Sequence, residues 1–391
     1  MSLRRKLRYA AKVLPEAIRS GLRAPTHAPV HLIFAMADHF EPAIHSEGGL
    51  KRVAREEQER RLERWIREYP KVAERWRDHD GRPFVHTYFY PAEQYDEGLL
   101  DVLADHCHDG WGEVEVHLHH GVGRPDTAEN TRHTLTEFCE RLASRHGCLA
   151  VEGDSAKPRY AFVHGNYALA NSNEGRGCGV DSEMKILGET GCYADFTLPA
   201  AVIHAAQVRK LNSIYECGGR LDEAIPHGSG KDLASGRVPQ IFPFIVQGPL
   251  VMDFGRSLRE WRLVLESSEI TGDKPLTLDR LNSWKKANIH VQGRPDWLFV
   301  KLYCHGMNPD QTEVVGGEPF RKFLEDLVSG ANDRRETLHF VTAREMANII
   351  LAACDGRDGN PHDYRDYRFR RLADARTSTI PSHALRVALE R

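Results

Sequence analysis

From residue 31 to residue 353, short apolar runs alternate with amphipathic or charged stretches. Runs at 31–37, 84–90, 113–118, 160–163, 192–196 and 297–304 have the length and content of strands. Between them lie helical stripes. Leu62, Trp65, Ile66, Tyr69, Val72 and Trp76 recur at helical spacing within the charged stretch 51–78. Leu99, Leu100 and Leu103 mark a second helix, and Leu135, Phe138, Cys139 and Leu142 a third over 127–146. Asp181 caps a helix through Met184, Ile186 and Leu187, and further helices are predicted over 276–287, 319–328 and 343–353. Strands also resume at 241–246, 250–254 and 339–341. Strand, helix, strand with connections of a dozen residues or more means parallel strands and right-handed crossovers.

Three regions depart from that rhythm. Leu3, Leu7, Ala11, Leu14, Ile18 and Leu22 form an amphipathic stripe in a basic stretch, 1–29, with Pro15 predicted to kink or restart the helix. Such a stripe packs on its own domain or lies on a membrane surface. Residues 205–240 carry little periodicity and much Gly, Pro and charge, so they read as an excursion inserted in the main domain, 30–354. The polar tail, 355–391, is expected to wrap the surface.

Bulk properties narrow the function classes. At 391 residues the chain fits one large α/β barrel with long loops. A net charge of −3, with basic residues dispersed among acidic ones, argues against nucleic-acid binding. No G-x-G-x-x-G follows a strand, the run Gly228-Ser229-Gly230-Lys231 is too short for a P-loop, and no G-x-S-x-G elbow occurs. Eight scattered cysteines without a C-x-x-C pair argue against a disulfide scaffold or a zinc module and for a reducing, cytoplasmic setting.

Chemistry gathers at strand ends, where the loops of a parallel barrel converge. The stretch 113–121 ends with His117, His119 and His120 before Gly121. Residues two apart on a strand share a face, so His117 and His119 point the same way, about 6–7 Å apart along the backbone. Two imidazoles so placed can close on a divalent cation. His120 faces the other side unless the chain turns at Gly121. Asp38 ends the first strand, followed by His39 and Glu41, and a carboxylate there completes an Asp-His-His facial set. His305, after an apolar strand, is placed to protonate a leaving group. His164, Asn166, Tyr193 and Asp195 offer the imidazole, amide, phenol and carboxylate that sugar recognition uses, although Asn, Gly and Asp equally make turns.

The ordered set of strand ends from 31 to 305 resembles the polysaccharide deacetylases of the NodB-homology type. The resemblance implies a distorted (β/α)7 TIM-like barrel, here with long loop insertions. It also implies a divalent metal, commonly zinc, held between a first-strand Asp motif, a third-strand His motif and a late strand ending in His. Asp38 looks like the first motif, His117 with His119 or His120 the second, and His305 the last. The segments HGNYALANS, CGVDSEM, GCYADFTLP and VTAREMANII look like those of a branch found with bacterial exopolysaccharide synthesis. Two features depart from the family pattern. The neighbours of Asp38 are Ala37 and His39 rather than a second aspartate, and the histidines stand two and three apart rather than four. Either Asp38 binds metal and the base lies elsewhere, Glu41 for instance, or Asp38 is the base and His39 the ligand.

The expectation is therefore a metal-dependent hydrolase that removes acetyl groups from a polysaccharide or oligosaccharide. Two alternatives compete with it. One is glycoside hydrolysis by carboxylates drawn from Asp38, Glu41 and Asp195. The other is a non-catalytic carbohydrate-binding protein on the same barrel.

Overall fold

A computed structural model describes residues 3–22, 29–45, 51–200 and 205–379. The molecule is a mixed α/β structure around a mostly parallel ten-stranded sheet. In chain order its strands are β1 Val30–His39, β2 His86–Pro91, β3 Gly112–Leu118, β4 Tyr160–His164, β5 Cys192–Asp195, β6 Ile214–Cys217, β7 Gly230–Asp232, β8 Phe244–Val246, β9 Trp297–Cys304 and β10 Glu336–Phe340. Along the sheet the order is β9-β1-β2-β3-β4-β5-β8-β6-β7. β1 is central: it pairs in parallel with β9 along one edge, and with β10 and then β2 along the other. That long strand is buried almost throughout, as its near-continuous apolar run implies.

Strand alternation divides the interior into two cores. Leu32, Phe34 and Met36 face one core together with Leu62, Trp65, Leu100, Leu135 and Phe323 from the surrounding helices. Ile33, Ala35 and Ala37 face the other, which holds Phe299, Tyr303, Met346 and Ile350. Met346 and Ile350 belong to the helix Ala343–Cys354, every residue of which is buried; Thr342 and Glu345 close a reciprocal capping box at its start.

Tyr88 of β2 links the sheet to two helices. Trp65 Nε1 donates to its hydroxyl at 3.2 Å, and His106 Nε2 lies 3.2 Å from the same oxygen. Trp65 belongs to the helix Arg55–Ala73 and His106 ends the helix Glu97–His106.

Several expectations need correction. Residues 205–240 are no mere excursion: β6 and β7 pair antiparallel there, and β6 joins the sheet through β8. Strands of three or four residues are too short to show a period. The strand Leu250–Met252 pairs with Leu265–Ser267 outside the main sheet. Pro15 does not break the first helix, which runs Leu3–Gly21. Its buried residues Val13 and Ala17 pack with Leu211 and Leu250, a different face from the expected stripe, in which Ala11 and Leu22 are exposed and Leu14 and Ile18 half-buried. Among the described residues no helix is long and apolar enough to cross a membrane. The tail is partly core: Phe369 stacks on Tyr193 at 4.5 Å between centroids, and Phe369–Arg371 pairs with Ala150–Glu152. Residues 380–391 lie outside the described set.

Burial pulls the His106 imidazole down to about 4. The folded state therefore binds fewer protons than the unfolded chain between the ordinary histidine value, about 6.5, and about 4. Stability held above that window is lost as pH falls through it. Urea unfolding of wild type and His106→Gln should show a stability difference that shrinks on acidification from about pH 7 to about pH 4.5. A difference independent of pH would contradict the assignment.

Candidate metal centre

The same alternation sorts the chemistry. On β1, Asp38 shares a face with Met36 and Phe34, while His39 shares the opposite face with Ala37 and Ala35. On β9, Cys304 follows Leu302 on the first face and Tyr303 follows Phe299 on the second. The side chains expected to converge in one pocket are consequently distributed over three.

The first group opens to solvent. His39, Glu41 and His117 present ligand atoms all within 4.8 Å of one another. The His39 ring lies 5.0 Å from that of His117 and 4.7 Å from that of His305, and it stacks on Tyr303 at 5.8 Å. His117 donates its Nδ1–H to the Val163 carbonyl at 2.7 Å. That bond directs Nε2 towards Glu41 Oε1, 3.5 Å away, and this buried Nε2 makes no hydrogen bond. His119 is turned by Glu93, which accepts from its Nδ1 at 2.9 Å and from its backbone N–H at 3.1 Å. Its Nε2 stands 3.7 Å from the same Glu41 oxygen. Burial works to raise the Glu41 carboxyl, but His117 and the surrounding imidazoles hold it down at about 2. Burial, reinforced by His305 and His117, takes His39 well below the usual imidazole value. The cleft above has a volume of about 430 Å³ and is bordered by His39, Glu41, Glu93, His119, Asn166 and His305.

Asp38 is not part of this group. Its carboxylate accepts from His86 Nδ1 at 2.9 Å and from the Gly306 backbone N–H at 2.6 Å, and it clusters with His86 and Cys304 behind β1. The even register of β1 is the cause: the carboxylate emerges on the helix-covered face. The expected Asp38-His117-His119 set is thereby corrected to one built on His39 and Glu41.

His120 also leaves the expected set. The chain turns at Gly121 (φ 62°), and the ring enters a third cluster with His164, Cys178 and Glu183. Its Nε2 lies 2.8 Å from Glu183 Oε1 and 3.1 Å from His164 Nε2, and Asp126 accepts from its Nδ1 at 2.8 Å. Burial opposes charge on Cys178, but contact with His120 and His164 brings its thiol below the usual value.

The residues expected to bind substrate divide similarly. Asn166 and His164 both border the cleft, but the His164 side chain is buried and its Nε2 lies 3.2 Å from Glu183. Tyr193 is interior, its hydroxyl donating to Glu115. Asp195 is interior too: it accepts from Thr197 Oγ1 at 2.8 Å, and burial pushes its carboxyl up to about 7. Neither residue borders the cleft. Glu93, Asp126, Cys178 and Glu183 were not anticipated, since each sits in a loop or helix start that carries no strand-end signal.

Comparison of the chain with protein-family models and with curated proteins gives no match. Three buried side-chain groups among the described residues could hold a metal ion, and His39 and Glu41 of the first border the cleft.

A Cβ at Gly306 would overlap the Asp38 carboxylate, which is held by His86 and by the Gly306 N–H itself. Gly306→Ala should therefore lower stability by about 1–3 kcal/mol in chemical denaturation, as overpacking does. Wild-type stability in this variant would show that the Asp38 anchor is not rigid.

Proposed function

We propose that this chain is a metal-dependent hydrolase that removes acetyl groups from a polysaccharide or oligosaccharide, on a (β/α)7 barrel of the polysaccharide deacetylase kind. The observation that carries the reading is the convergence of His39, Glu41 and His117 beneath an open cleft. The resemblance of the ordered strand ends to that family supplies the substrate class and the link to exopolysaccharide metabolism.

The residues fit a divalent ion. His117 Nε2 is a buried nitrogen without a hydrogen-bond partner, and its Nδ1 is tied to a backbone carbonyl, the arrangement that prepares an imidazole for coordination. His39, Glu41 and His117 would hold the ion; two nitrogens and one oxygen suit zinc. A divalent ion bound there supplies a Lewis acid that activates water near neutral pH and polarises an acetyl carbonyl.

The chain's own groups do the proton work. Glu93 accepts from His119 Nδ1, which leaves Nε2 facing the cleft to take a proton from water. His305 stands across the cleft beside His39 and gives a proton to the departing amine or alkoxide. Asn166, at the rim, is placed to hydrogen-bond sugar hydroxyls. Glycoside hydrolysis draws less support, because two of its three carboxylates, Asp38 and Asp195, do not border the cleft.

Elemental analysis of protein prepared without chelators tests the reading together with acetate release from acetylated oligosaccharides. His117→Ala should lose one metal equivalent and all turnover. Glu93→Gln should keep its metal while kcat falls by about 10²–10⁴-fold, the usual worth of an oriented acid–base group. Unchanged turnover in metal-free His117→Ala would exclude the scheme.

A further inference from the structure

The cluster behind the cleft wall is made of four side chains that the proposed hydrolase does not use. His120 follows β3, His164 ends β4, Cys178 lies in the following loop, and Glu183 opens the helix Glu183–Thr190. All four are buried, with exposures of 8%, 0%, 0% and 0%. Their ligand atoms lie within 4.8 Å of one another.

Hydrogen bonding satisfies this arrangement only if an extra proton is sealed inside it. The Nδ1 positions already have acceptors, Asp126 for His120 and the Gly165 carbonyl for His164. A neutral imidazole that donates from Nδ1 presents a bare lone pair at Nε2. Here two such lone pairs stand 3.1 Å apart and both face Glu183 Oε1, at 2.8 and 3.2 Å, an atom that is also only an acceptor. Either at least one ring carries a second proton, placing an imidazolium ion in this buried cluster, or one metal cation occupies the point where the lone pairs meet. The second solution neutralises the cluster with a single centre.

We propose that His120 Nε2, His164 Nε2, Cys178 Sγ and Glu183 form a closed structural zinc site. Zinc–nitrogen bonds of about 2.0–2.1 Å and zinc–sulfur bonds of about 2.3 Å put tetrahedral ligand atoms about 3.3–3.6 Å apart. The nitrogen and oxygen atoms here stand 2.8–3.2 Å apart, and Cys178 Sγ lies 3.7 Å from Glu183 Oε2. One thiolate, two imidazoles and one carboxylate are a donor set that zinc accepts and that calcium or magnesium does not. Asp126 and the Gly165 carbonyl are the outer partners that fix the tautomers of the two rings. Complete burial with four protein ligands leaves no open position, so the role is structural.

The segment between the ligands explains why an anchor is needed there. Asn166, Tyr167, Ala170, Asn171 and Glu174 all have positive φ, a costly run for non-glycine residues. That segment carries Asn166 and Tyr167 to the cleft. Gly121 is packed so tightly against Cys178 that a Cβ would overlap its backbone, and the Gly177 N–H donates to the Gly121 carbonyl at 2.8 Å. The ion would bolt this wall to the ends of β3 and β4. None of the four ligands belongs to the cleft group, so this site stands or falls separately from the hydrolase reading.

The test uses the full-length chain, stripped of metal under reducing conditions and titrated with Co²⁺ alone. A cobalt–thiolate bond produces an intense near-ultraviolet charge-transfer band that nitrogen and oxygen ligands do not. The band should grow to one equivalent, be displaced by Zn²⁺, and persist in His117→Ala and Cys304→Ser but vanish in Cys178→Ser. Absence of the band in folded wild type, or its survival in Cys178→Ser, overturns the proposal. Should Cys178→Ser fail to fold, Asp126→Asn decides. That variant keeps all four ligands and should bind Co²⁺ about 10–100-fold more weakly in chelator competition. An unchanged affinity overturns the assignment.

Discussion

The two-residue period of β1 is the constraint on which the molecule's chemistry depends. This strand pairs on both edges and is covered on both faces, so it has no freedom to rotate. A one-residue slip would exchange every side chain between the two cores. Large residues at Leu32, Phe34 and Met36 and smaller ones at Ala35 and Ala37 make that exchange sterically prohibitive. The register imposed by this packing carries through to the strand's end, where it turns Asp38 into the helix layer and His39 into the cleft. β9 repeats the rule in parallel register, with Asp38 opposite Cys304, so both strands deliver chemistry to both faces.

Orientation is added by partners that do not themselves face the cleft. Val163 O, Glu93, Asp126 and Gly165 O each engage the Nδ1 of a different histidine, directing Nε2 inward in every case. Imidazoles crowded within 5 Å would otherwise be driven apart by desolvation and by mutual repulsion once protonated. The distinction between the clusters then follows from access. His39 and Glu41 border the cleft with His117 beneath them, whereas the His120 group is buried and only its His164 reaches the cleft wall.

Much of the strand and helix pattern was legible because it rests on long periodic runs. β1, β3 and β9 and the helices around Leu62, Leu135 and Ile350 occupy the stretches that their apolar spacing indicated. Parity was equally legible: the rule that puts His117 and His119 on one face also separates Asp38 from His39. Reading Asp38 as a ligand gave the carboxylate's chemistry precedence over the strand's alternation. Contacts between distant segments were not legible in this way. Glu93 meets His119 across 26 residues, and Glu183 meets His120 across 63, with no periodic signal in either loop. β6 and β7 escaped for the opposite reason, being real strands too short to alternate visibly.

The way the sheet places these groups also explains how one chain can hold buried polar clusters without losing its core. Each cluster sits where a strand ends, so the apolar body of β1, β3, β4 and β9 remains continuous beneath it. Ionisable groups set deeper are held in forms that limit their charge. Burial lowers Lys301, midway along β9, to about 7 and raises Glu115, midway along β3, to about 8, while Lys301 Nζ donates to the Phe196 carbonyl at 2.6 Å. Desolvation thus penalises charge in the middle of the sheet, while at the strand ends neighbouring imidazoles and carboxylates offset the same penalty. That gradient, more than any single residue, confines reactive side chains to the cleft end of the fold.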